Sequence, residues 1–386
     1  MIKKKIAILG STGSIGKSLI DIILNDKKNF EVVLLTANTN YKKLINQAKL
    51  LKVKNLIVTN KKNYQILKKK KIKAKIYNNF DNFDKIFKSK VDYIMCAITG
   101  IEGLNPTFNA IKYTKKIAIA NKESIICAWN ILNQELKKNK TKFIPVDSEH
   151  FSIWSALKSD KNSKIDKIYI TASGGPFHKL PFYKFPLIEI KDAIKHPNWK
   201  MGKKISVDSS TMMNKVFEII EARNIFDISI NDLKILIHPD SYLHAIVKFK
   251  NGIFKLIIHE TDMKIPIFNT IDSNKNYYKK LKDINIDKLN NLKLENPNLK
   301  KFPLVKILNK IPSKISLFDT ILVSVNDTLV DLFLKNKIKF KSISKIFYSI
   351  INRKDLIKYK SIVPKNINQI INLKNFVQIK INSRYN

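Results

Sequence analysis

The sequence predicts an α/β fold in which a doubly wound parallel sheet is followed by an α+β domain and a helical tail. Over residues 1–147, short apolar stretches with strand character alternate with segments of helical spacing, which is the pattern of βαβ units with right-handed crossovers. From residue 148 the strand-like stretches mix with loops and one helix, and the end of the chain is helical throughout.

The individual elements follow from these periodicities. In the first part we predict strands at 6–9, 31–36, 55–58, 93–98, 116–120 and 142–146, and helices at 14–24 and 41–51. In the second part we predict strands at 167–171, 234–237, 245–249 and 253–258. The expected domains are 1–147, 148–273 and 303–386, joined by a Lys-, Asn- and Asp-rich linker at 274–302.

Two apolar stripes at helical spacing predict a small bundle in the tail. The first stripe consists of Ile321, Val325, Leu329 and Phe333, and the second of Ile367, Ile370, Ile371 and Phe376.

Composition favours a cytoplasmic globular enzyme. The chain of 386 residues is 44% hydrophobic, which suits two or three folded domains. No apolar run approaches the roughly 18 residues that a membrane span needs, and the apolar stretch at 6–9 is too short for a signal peptide. The two cysteines, Cys96 and Cys127, form neither a disulfide framework nor a zinc motif.

The formal charge of +41 suggests nucleic acid or an anionic membrane as a partner, but the residue types argue against both. Among 72 basic residues, only Arg223, Arg353 and Arg384 are arginines, whereas nucleic-acid surfaces favour the bidentate guanidinium. The lysines are spread through every segment together with Asn and Ile, as a strong genomic base bias would produce. We therefore expect no nucleic acid and no membrane as partners, and a positive field that attracts an anionic substrate.

A glycine-rich loop follows the first predicted strand and opens a helix. Gly10, Gly13 and Gly16 form a GxxGxxG pattern in the strand–loop–helix setting that binds a dinucleotide pyrophosphate, as in Rossmann-like domains. The second strand ends in Thr36-Ala-Asn-Thr-Asn40, without the carboxylate that would hold an NAD ribose. This end favours NADP, with Lys42 and Lys43 as the nearest cations.

Carboxylates and a lysine follow two later strands, at the edge where open α/β sheets bind ligands. Asn121-Lys122-Glu123 comes first, and an ordinary solvated helix start is the alternative. Asp147 and Glu149, two apart in a segment taken as extended, face the same way, and Glu218 adds a third carboxylate. Such an all-oxygen set suits Mg²⁺ or Mn²⁺, although acids in a surface loop are often only solvated.

The segment 208–221, DSSTMMNKVFEIIE, is a candidate phosphate site. Ser209 and Ser210 are natural N-cap residues, and Lys215 can reach over the helix start, where free N–H groups favour a phosphate. Asn214 and Glu218 are expected on the face opposite the apolar stripe. A plain surface helix with a capping box is the alternative.

Three loops complete the candidates. Residues 171–176, TASGGP, offer an anion nest around Ser173, or a plain glycine turn. Residues 196–202, HPNWKMG, could close over a substrate, or could cover a satellite apolar cluster. Of His238 and His244, at least one is expected to be structural.

Together these segments resemble the 1-deoxy-D-xylulose 5-phosphate reductoisomerase family from Lys5 to about Pro266. The motifs occur in order as GSTGSIG, ANKES, PVDSEH, SGGPF, HPNWKMG, VDSSTMMNK with its following EIIEA, and HPDSYLH. The resemblance implies an NADPH domain, a catalytic domain, a C-terminal helical bundle and a homodimer. It also implies reduction and isomerisation of 1-deoxy-D-xylulose 5-phosphate, a phosphorylated sugar, to 2-C-methyl-D-erythritol 4-phosphate, with NADPH and Mg²⁺ or Mn²⁺.

The resemblance also implies residue roles. It assigns the metal to Asp147, Glu149 and Glu218, and catalysis to Lys122, Glu149 and Glu218. It assigns the substrate to Ser148, Glu149, Ser173, His196, Trp199, Ser209, Asn214, Lys215 and Glu218, with Met201 in the flap. It assigns NADPH to Gly10, Thr12, Gly13, Ser14, Ile15, Asn38, Asn40, Asn121, Lys122, Glu123 and Gly202.

The sequence departs from the family at Asn38-Thr39, where Gly-Lys is usual, and this could weaken the grip on the 2′-phosphate of NADPH. A retro-aldol/aldol route and a concerted ketol shift use the same ligands. An NADP-dependent semialdehyde or acyl-phosphate reductase is the alternative function, and it needs a nucleophilic cysteine. Cys96 and Cys127 lie in apolar segments, where thiols are usually inert.

Overall fold

The computed structural model describes residues 2–159, 163–199, 201–271 and 283–385. These residues form two compact units. Unit 1 comprises the described residues within Met1–Ser124, Leu132–Asp147 and Asp262–Lys279, and unit 2 those within Ile125–Ile131, Ser148–Thr261 and Lys280–Asn386.

The elements are numbered in chain order. The strands are β1 Lys4–Leu9, β2 Phe30–Ala37, β3 Asn55–Val58, β4 Lys75–Tyr77, β5 Tyr93–Cys96, β6 Lys116–Ile119, β7 Lys142–Pro145, β8 Ile165–Ala172, β9 Leu233–Ile237, β10 Leu243–Phe249 and β11 Phe254–Ile258. The α-helices are α1 Ser14–Asn25, α2 Tyr41–Leu51, α3 Lys61–Lys68, α4 Phe83–Ile86, α5 Leu104–Ala110, α6 Lys122–Lys138, α7 Ser148–Lys158, α8 Ile190–Ala193, α9 Lys203–Ser210, α10 Met213–Phe226, α11 Lys264–Ile271, α12 Ile286–Asn290, α13 Leu317–Leu334, α14 Phe340–Ile351, α15 Lys354–Ile357 and α16 Ile367–Tyr385. Short 3₁₀ helices occupy Ile101–Gly103, Ile111–Tyr113, Phe182–Leu187, Ile230–Asp232, Pro303–Lys310 and Lys358–Ser361.

Unit 1 contains a seven-stranded sheet in the order β4-β3-β2-β1-β5-β6-β7, and every pairing is parallel. The chain runs outwards from β1 in one direction through β2 and in the other through β5. This reversal creates a crevice at the carboxyl end of β1, where doubly wound sheets bind their ligands. The predicted Rossmann-like sheet is therefore confirmed.

Burial explains why these strands read as continuous apolar runs. The last four residues of β1 are buried, as expected for a parallel strand covered on both faces. On α1 the residues Leu19, Ile20, Ile22 and Ile23 are buried in the same apolar core as Ile6 and Ile8 of β1. Complete burial of one such side chain stabilises the fold by about 1.5–3 kcal/mol.

Unit 2 is built around a four-stranded sheet in the order β11-β10-β8-β9. Strand β10 runs antiparallel to β8 and β11, whereas β8 and β9 are parallel. Helices α7 and α10 pack on this sheet, with buried Ile153 and Ile219 in its core. The predicted α+β arrangement is confirmed, and each of the four predicted strands overlaps an observed one.

The tail packs around α13, which contacts α14 and α16. All four residues of the first predicted stripe, from Ile321 to Phe333, are buried. The second stripe is partly wrong, because Phe376 is 47% exposed. The buried residues of α16 are instead Ile370, Leu373, Val377 and Ile381.

An ion pair joins α10 to α13 inside unit 2. Arg223 Nη2 donates to Asp319 Oδ2 at 2.6 Å, and its Nη1 donates to the Pro312 carbonyl at 2.9 Å. Burial raises the pKa of Asp319, while the neighbouring guanidinium acts to lower it. The pair therefore ties the α10 helix to the tail.

The proposed division into domains and linker stays a prediction. Residues 272–282, which include the start of the expected linker at 274–302, lie outside the described residues. The described part of that segment contains α12 and a bridge between Ile237 and Glu295. In the part of the chain that the structure describes, no helix has the length and apolarity to cross a membrane.

Candidate functional site

The glycine loop follows β1 in unit 1 and is shaped for close backbone approach. Gly10 has φ +87°, and a Cβ there would lie 2.6 Å from the Ala97 carbonyl oxygen. A Cβ at Gly16 would lie 2.5 Å from the Gly10 oxygen. Gly13 is the N-cap of α1 and supplies no side-chain cap, so the first N–H groups of the helix are available to a pyrophosphate. The loop fits a dinucleotide.

The other nucleotide candidates in unit 1 lie around this loop. Thr12 and Ile15 are half-buried, and Ser14 is exposed as the first residue of α1. At the end of β2, Asn38 is exposed, and Asn40 caps α2 by accepting a hydrogen bond from Lys43 N at 3.3 Å. Gly202 belongs to unit 2, where it is the N-cap of α9.

Asn121 caps α6 and is held by three contacts. Its Oδ1 accepts from Ser124 N at 2.7 Å, and its Nδ2 donates to the carbonyls of Gly100, at 2.7 Å, and Ile98. A buried amide with this many partners has one orientation only. Glu123, two residues later, is also buried.

Lys122 pairs with Asp147 inside unit 1. Its Nζ lies 2.9 Å from Asp147 Oδ2, and the lysine side chain is 10% exposed against 22% for the aspartate. The prediction that Asp147 and Glu149 lie in one extended segment is wrong, because Ser148 begins α7 and places Glu149 in its first turn.

In unit 2 two carboxylates converge on one ammonium group. Lys215 Nζ lies 2.6 Å from Glu218 Oε2 and also donates to Glu149 Oε1. One oxygen of Glu149 and one of Glu218 lie within 4.8 Å of each other. Burial acts to lower the pKa of Lys215, but the two carboxylates outweigh it and raise that pKa. The lysine is therefore charged at neutral pH.

Neighbouring polar groups orient these carboxylates. Ser148 Oγ donates to Glu149 Oε2 at 2.6 Å, and Asn214 Nδ2 donates to Glu218 Oε1. Two carboxylates with all-oxygen chemistry, held close together, fit a hard divalent cation. The expected placement of Glu218 on the face opposite the buried stripe is wrong, because Glu218 is itself buried.

The expected N-cap serines are also displaced. Ser209 and Ser210 end α9, and Met212, in a left-handed conformation with φ 63°, separates α9 from α10. Neither serine caps α10, whose N-cap Met212 supplies no side-chain hydrogen bond. The plain capping-box alternative is therefore wrong as well.

Ser173 and Ser209 are brought together by a glycine. Gly175 has φ +66°, and a Cβ there would lie 2.7 Å from the Ser209 carbonyl oxygen. Ser173 Oγ accepts from Gly175 N at 3.1 Å, so the small loop folds back on itself. Gly174 and Gly175 are buried rather than exposed, and the role of this loop as an anion nest stays a prediction.

His196 is oriented by its own loop. Its Nδ1 accepts from Asn198 N at 3.1 Å and from Trp199 N at 3.0 Å, so in the neutral ring Nε2 carries the proton and donates to Ser173 Oγ at 3.0 Å. Burial, followed by the charge of Lys215, lowers the pKa of His196 to about 4, although Glu149 opposes this. The ring is neutral at pH 7.

The 196–202 loop is fastened at its beginning. Asn198 Nδ2 donates to the Pro239 carbonyl at 2.6 Å and to Ser241 Oγ at 2.8 Å. Trp199 meets His244 edge to face, with ring centroids 6.3 Å apart. Its side chain and that of Met201 are half-buried, which agrees with a loop that covers a surface.

The sequence analysis assigned no role to His150 or to His259, and both have close contacts in the structure. His150 is buried, and its Nε2 donates to the Glu218 carbonyl at 2.9 Å, while its Nδ1 lies 3.5 Å from Glu221 Oε2. His259 stacks on His244 with ring centroids 3.6 Å apart. His150 follows Glu149 directly in the sequence, and this position could have marked it as a neighbour of the site. The contact of His259 with His244 arises only from the pairing of β10 with β11, so the sequence gives no sign of it.

Both cysteines are unsuited to nucleophilic catalysis. Cys96 is buried at the end of β5, and burial raises the pKa of its thiol to about 12. Cys127 is also buried, and neither cysteine is in a disulfide. These facts argue against the semialdehyde or acyl-phosphate reductase alternative.

Comparison with known proteins gives one consistent result. Three family models match: 1-deoxy-D-xylulose 5-phosphate reductoisomerase over residues 6–129, its C-terminal domain over 143–226, and the DXP reductoisomerase C-terminal domain over 258–379. The chain is 58% identical over 384 residues to the 1-deoxy-D-xylulose 5-phosphate reductoisomerase of Pelagibacter ubique (strain HTCC1062), covering 98% of this chain and 99% of that one. It is 34% identical over 388 residues to the enzyme of the same name from Clostridium perfringens (strain 13 / Type A), covering 99% and 100%.

Solved structures agree. The chain is similar to the Zymomonas mobilis reductoisomerase in complex with NADPH, with TM-score 0.84, 30% identity and 98% of each chain covered. It is also similar to a DOX-P reductoisomerase in complex with NADPH, fosmidomycin and magnesium, with TM-score 0.90, 29% identity and 98% of each chain covered.

Proposed function

The chain belongs to the 1-deoxy-D-xylulose 5-phosphate reductoisomerase family, and from this premise we propose which of its residues hold the metal, the substrate and the cofactor. The protein is an NADPH-dependent enzyme that converts 1-deoxy-D-xylulose 5-phosphate to 2-C-methyl-D-erythritol 4-phosphate with a divalent metal. The semialdehyde or acyl-phosphate reductase alternative is not favoured.

Asp147, Glu149 and Glu218 are the proposed metal ligands. The observation that supports this assignment is the convergence of Glu149 and Glu218 on the ammonium of Lys215, because it places two carboxylates at short range. Asp147 precedes Glu149 by two residues in the chain. When bound, the metal supplies Lewis acidity toward the ketone and neighbouring hydroxyl of the substrate.

Ser173, Ser209, Asn214 and Lys215 are the proposed phosphate ligands. Ser173 Oγ already accepts two hydrogen bonds, from His196 and Gly175, so its own O–H is available to donate to a phosphate oxygen. Lys215 brings a positive charge to the same unit. The neutral ring of His196 fixes the Ser173 hydroxyl, and Trp199 is the proposed cover of the substrate.

Ser148, Glu149 and Lys122 are the proposed residues at the reacting end of the substrate. Ser148 Oγ holds one Glu149 oxygen at 2.6 Å, which limits the orientations of that carboxylate. Lys122 is a buried cation paired with Asp147, and such a group is suited to orient and stabilise developing oxygen charge. The phosphate contacts, remote from the reacting carbons, position the substrate.

The proposed NADPH contacts begin at the glycine loop. Gly10, Thr12, Gly13, Ser14 and Ile15 would hold the pyrophosphate, since the α1 start offers its N–H groups there. The remaining proposed contacts are Asn38, Asn40, Asn121, Lys122, Glu123 and Gly202.

A homodimer is also proposed. Strand β11 lies at the edge of its sheet, and it presents exposed apolar side chains at Phe254, 52% exposed, and Leu256, 44% exposed. Unpaired edges of this kind are suited to contact with a second chain. Sedimentation equilibrium measures the state directly, and a strictly monomeric mass at working concentration would contradict the proposal. A cytoplasmic location is also proposed, because neither Cys96 nor Cys127 is in a disulfide, as is usual in a reducing compartment.

The test of the site assignment is the metal dependence of turnover. Loss of NADPH absorbance is followed with 1-deoxy-D-xylulose 5-phosphate and Mn²⁺ or Mg²⁺, with and without chelator. We expect oxidation that stops with chelator and returns with excess metal. Turnover that is unchanged in chelator-treated, metal-free protein would overturn the three-carboxylate metal site.

A further inference from the structure

The residues that follow β2 include no cation at the position where an NADP site uses one. An NADP-binding site of this fold needs a cation near the carboxyl end of the second strand to meet the 2′-phosphate. In this chain the residues that follow Ala37 are Asn38, Thr39 and Asn40, none of which is charged. Helix α2, which follows at once, can supply the cation through Lys42 or Lys43.

Helix α2 is fastened to the glycine loop. Gln47 Nε2 donates to the Ser11 carbonyl at 3.0 Å, and Ser11 Oγ donates to Gln47 Oε1 at 2.8 Å. Thr36, in β2, accepts from Gly10 N through its Oγ1 at 2.8 Å. The glycine loop, the end of β2 and the face of α2 that carries Gln47 thus form one hydrogen-bonded assembly.

Lys43 lies on that face. It is four residues before Gln47, so the two side chains share one side of α2. Lys43 is also in the first turn of the helix, where its backbone N–H is capped by Asn40 Oδ1. Its side chain is half-buried, whereas that of Lys42, one residue earlier and about 100° around the helix, is exposed.

A second lysine meets it from α1. The ammonium of Lys17, in the helix that the glycine loop opens, is near enough to act on the charge of Lys43. Burial lowers the pKa of Lys43, the Lys17 ammonium lowers it further, and Asp21 opposes the change. Two like charges near each other are unfavourable by themselves, and an anion with about two negative charges offsets both.

We propose that Lys43, with Lys17 beside it, binds the 2′-phosphate of NADPH and sets the preference of this enzyme for NADPH over NADH. The inference rests on the proposed cofactor site at the glycine loop. On this proposal the cation that is missing at Asn38-Thr39 is not lost. It is supplied instead by Lys43, in the first turn of α2.

The test is nucleotide binding, measured without turnover. Dissociation constants for NADPH and NADH are obtained from nucleotide fluorescence with wild-type protein and with Lys43→Gln. We expect Lys43→Gln to weaken NADPH binding by about tenfold or more, because a charge-assisted contact to the phosphate is lost. NADH, which lacks that phosphate, should change by less than about twofold on the same grounds.

Two further variants complete the design. Lys42→Gln removes the same charge one residue away and should leave both constants unchanged. Lys17→Gln, at an exposed position, should weaken NADPH binding severalfold and leave NADH binding unchanged. Circular dichroism establishes that each variant is folded.

The outcomes separate the inference from its premise. Unchanged NADPH-to-NADH discrimination in folded Lys43→Gln or Lys17→Gln would overturn the role of that lysine pair. An equal loss in Lys42→Gln would show a general effect of positive charge and would also overturn it. A folded wild-type protein that binds neither nucleotide would instead remove the proposed cofactor site itself.

Discussion

Lys215 and Glu218 form a buried ion pair within one helix turn, with Nζ 2.6 Å from Oε2. The same ammonium also pairs with Glu149 in the first turn of α7, so one lysine holds two carboxylates close together. In a region of low dielectric such an arrangement is costly to break by removal of one partner. The pair is therefore the natural starting point for experiments on the site.

Replacement of a metal ligand should separate chemistry from cofactor binding. Glu218→Gln keeps the shape of the side chain but removes its charge, so we expect kcat to fall by at least about a hundredfold. NADPH affinity, measured by fluorescence, should stay within about twofold because the glycine loop is unchanged. Asp331→Asn, at an exposed carboxylate of α13, is the matched control. Near-normal turnover by Glu218→Gln would show that the metal assignment is wrong.

The neutral state of His196 predicts a pH dependence of stability. Its pKa in the folded protein is about 4, below the usual value near 6.5, so between these values the unfolded chain binds more protons than the folded one. Stability should therefore fall as pH decreases from about 6.5 towards 4. Urea unfolding of metal-free protein at several pH values should show a smaller fall in His196→Gln. An identical pH profile for both proteins would refute this account.

The buried ion pair of Arg223 predicts that even a conservative replacement by lysine lowers the stability of the fold. Arg223→Lys keeps the charge but cannot reach Asp319 and the Pro312 carbonyl together, so we expect a loss of about 3 kcal/mol in the free energy of unfolding. Arg353→Lys, at a partly exposed pair with Asp355, should cost less than about 1 kcal/mol. Urea denaturation measures both, and equal losses would contradict the proposed difference.

The cysteines should be dispensable for turnover. We expect Cys96→Ala with Cys127→Ala to keep kcat within about twofold, because a thiol with a raised pKa is a poor nucleophile. The double variant should lose roughly 1–2 kcal/mol of stability from the small cavities that it creates. Activity is therefore assayed well below the unfolding temperature. Loss of turnover in a folded double variant would restore the cysteine-dependent alternative.

Periodicity in the sequence located six of the seven strands in the sheet of unit 1 and missed β4. Strands of a parallel sheet are buried on both faces, so β1 and β5 read directly as short apolar runs beside the glycine loop. The predicted ends differ by one or two residues, as for β1, which begins at Lys4 rather than Ile6. These features are local, and local patterns determine them.

The errors have tertiary causes. The left-handed Met212 divides what the sequence presents as one helix, so the apparent N-cap serines end α9 instead. Helix α10 is buried on all sides, so it has no exposed polar face opposite a buried apolar one. The placement of Glu218 from the sequence assumed such a face. The approach of Gly175 to Ser209 joins residues far apart in the chain, and spacing alone cannot reveal it.

The scarcity of arginine gives the Arg223 contact a wider meaning. Almost all basic residues of this chain are lysines, and Arg223 is one of only three arginines. Its side chain is 4% exposed. Its hydrogen bonds to Asp319, Pro312 and Asn224 require several N–H groups in a fixed plane, which an ammonium cannot provide. A change from arginine to lysine at this position would therefore lose part of these contacts. The rarest cation of the chain thus marks where hydrogen-bond geometry, and not charge alone, constrains its evolution.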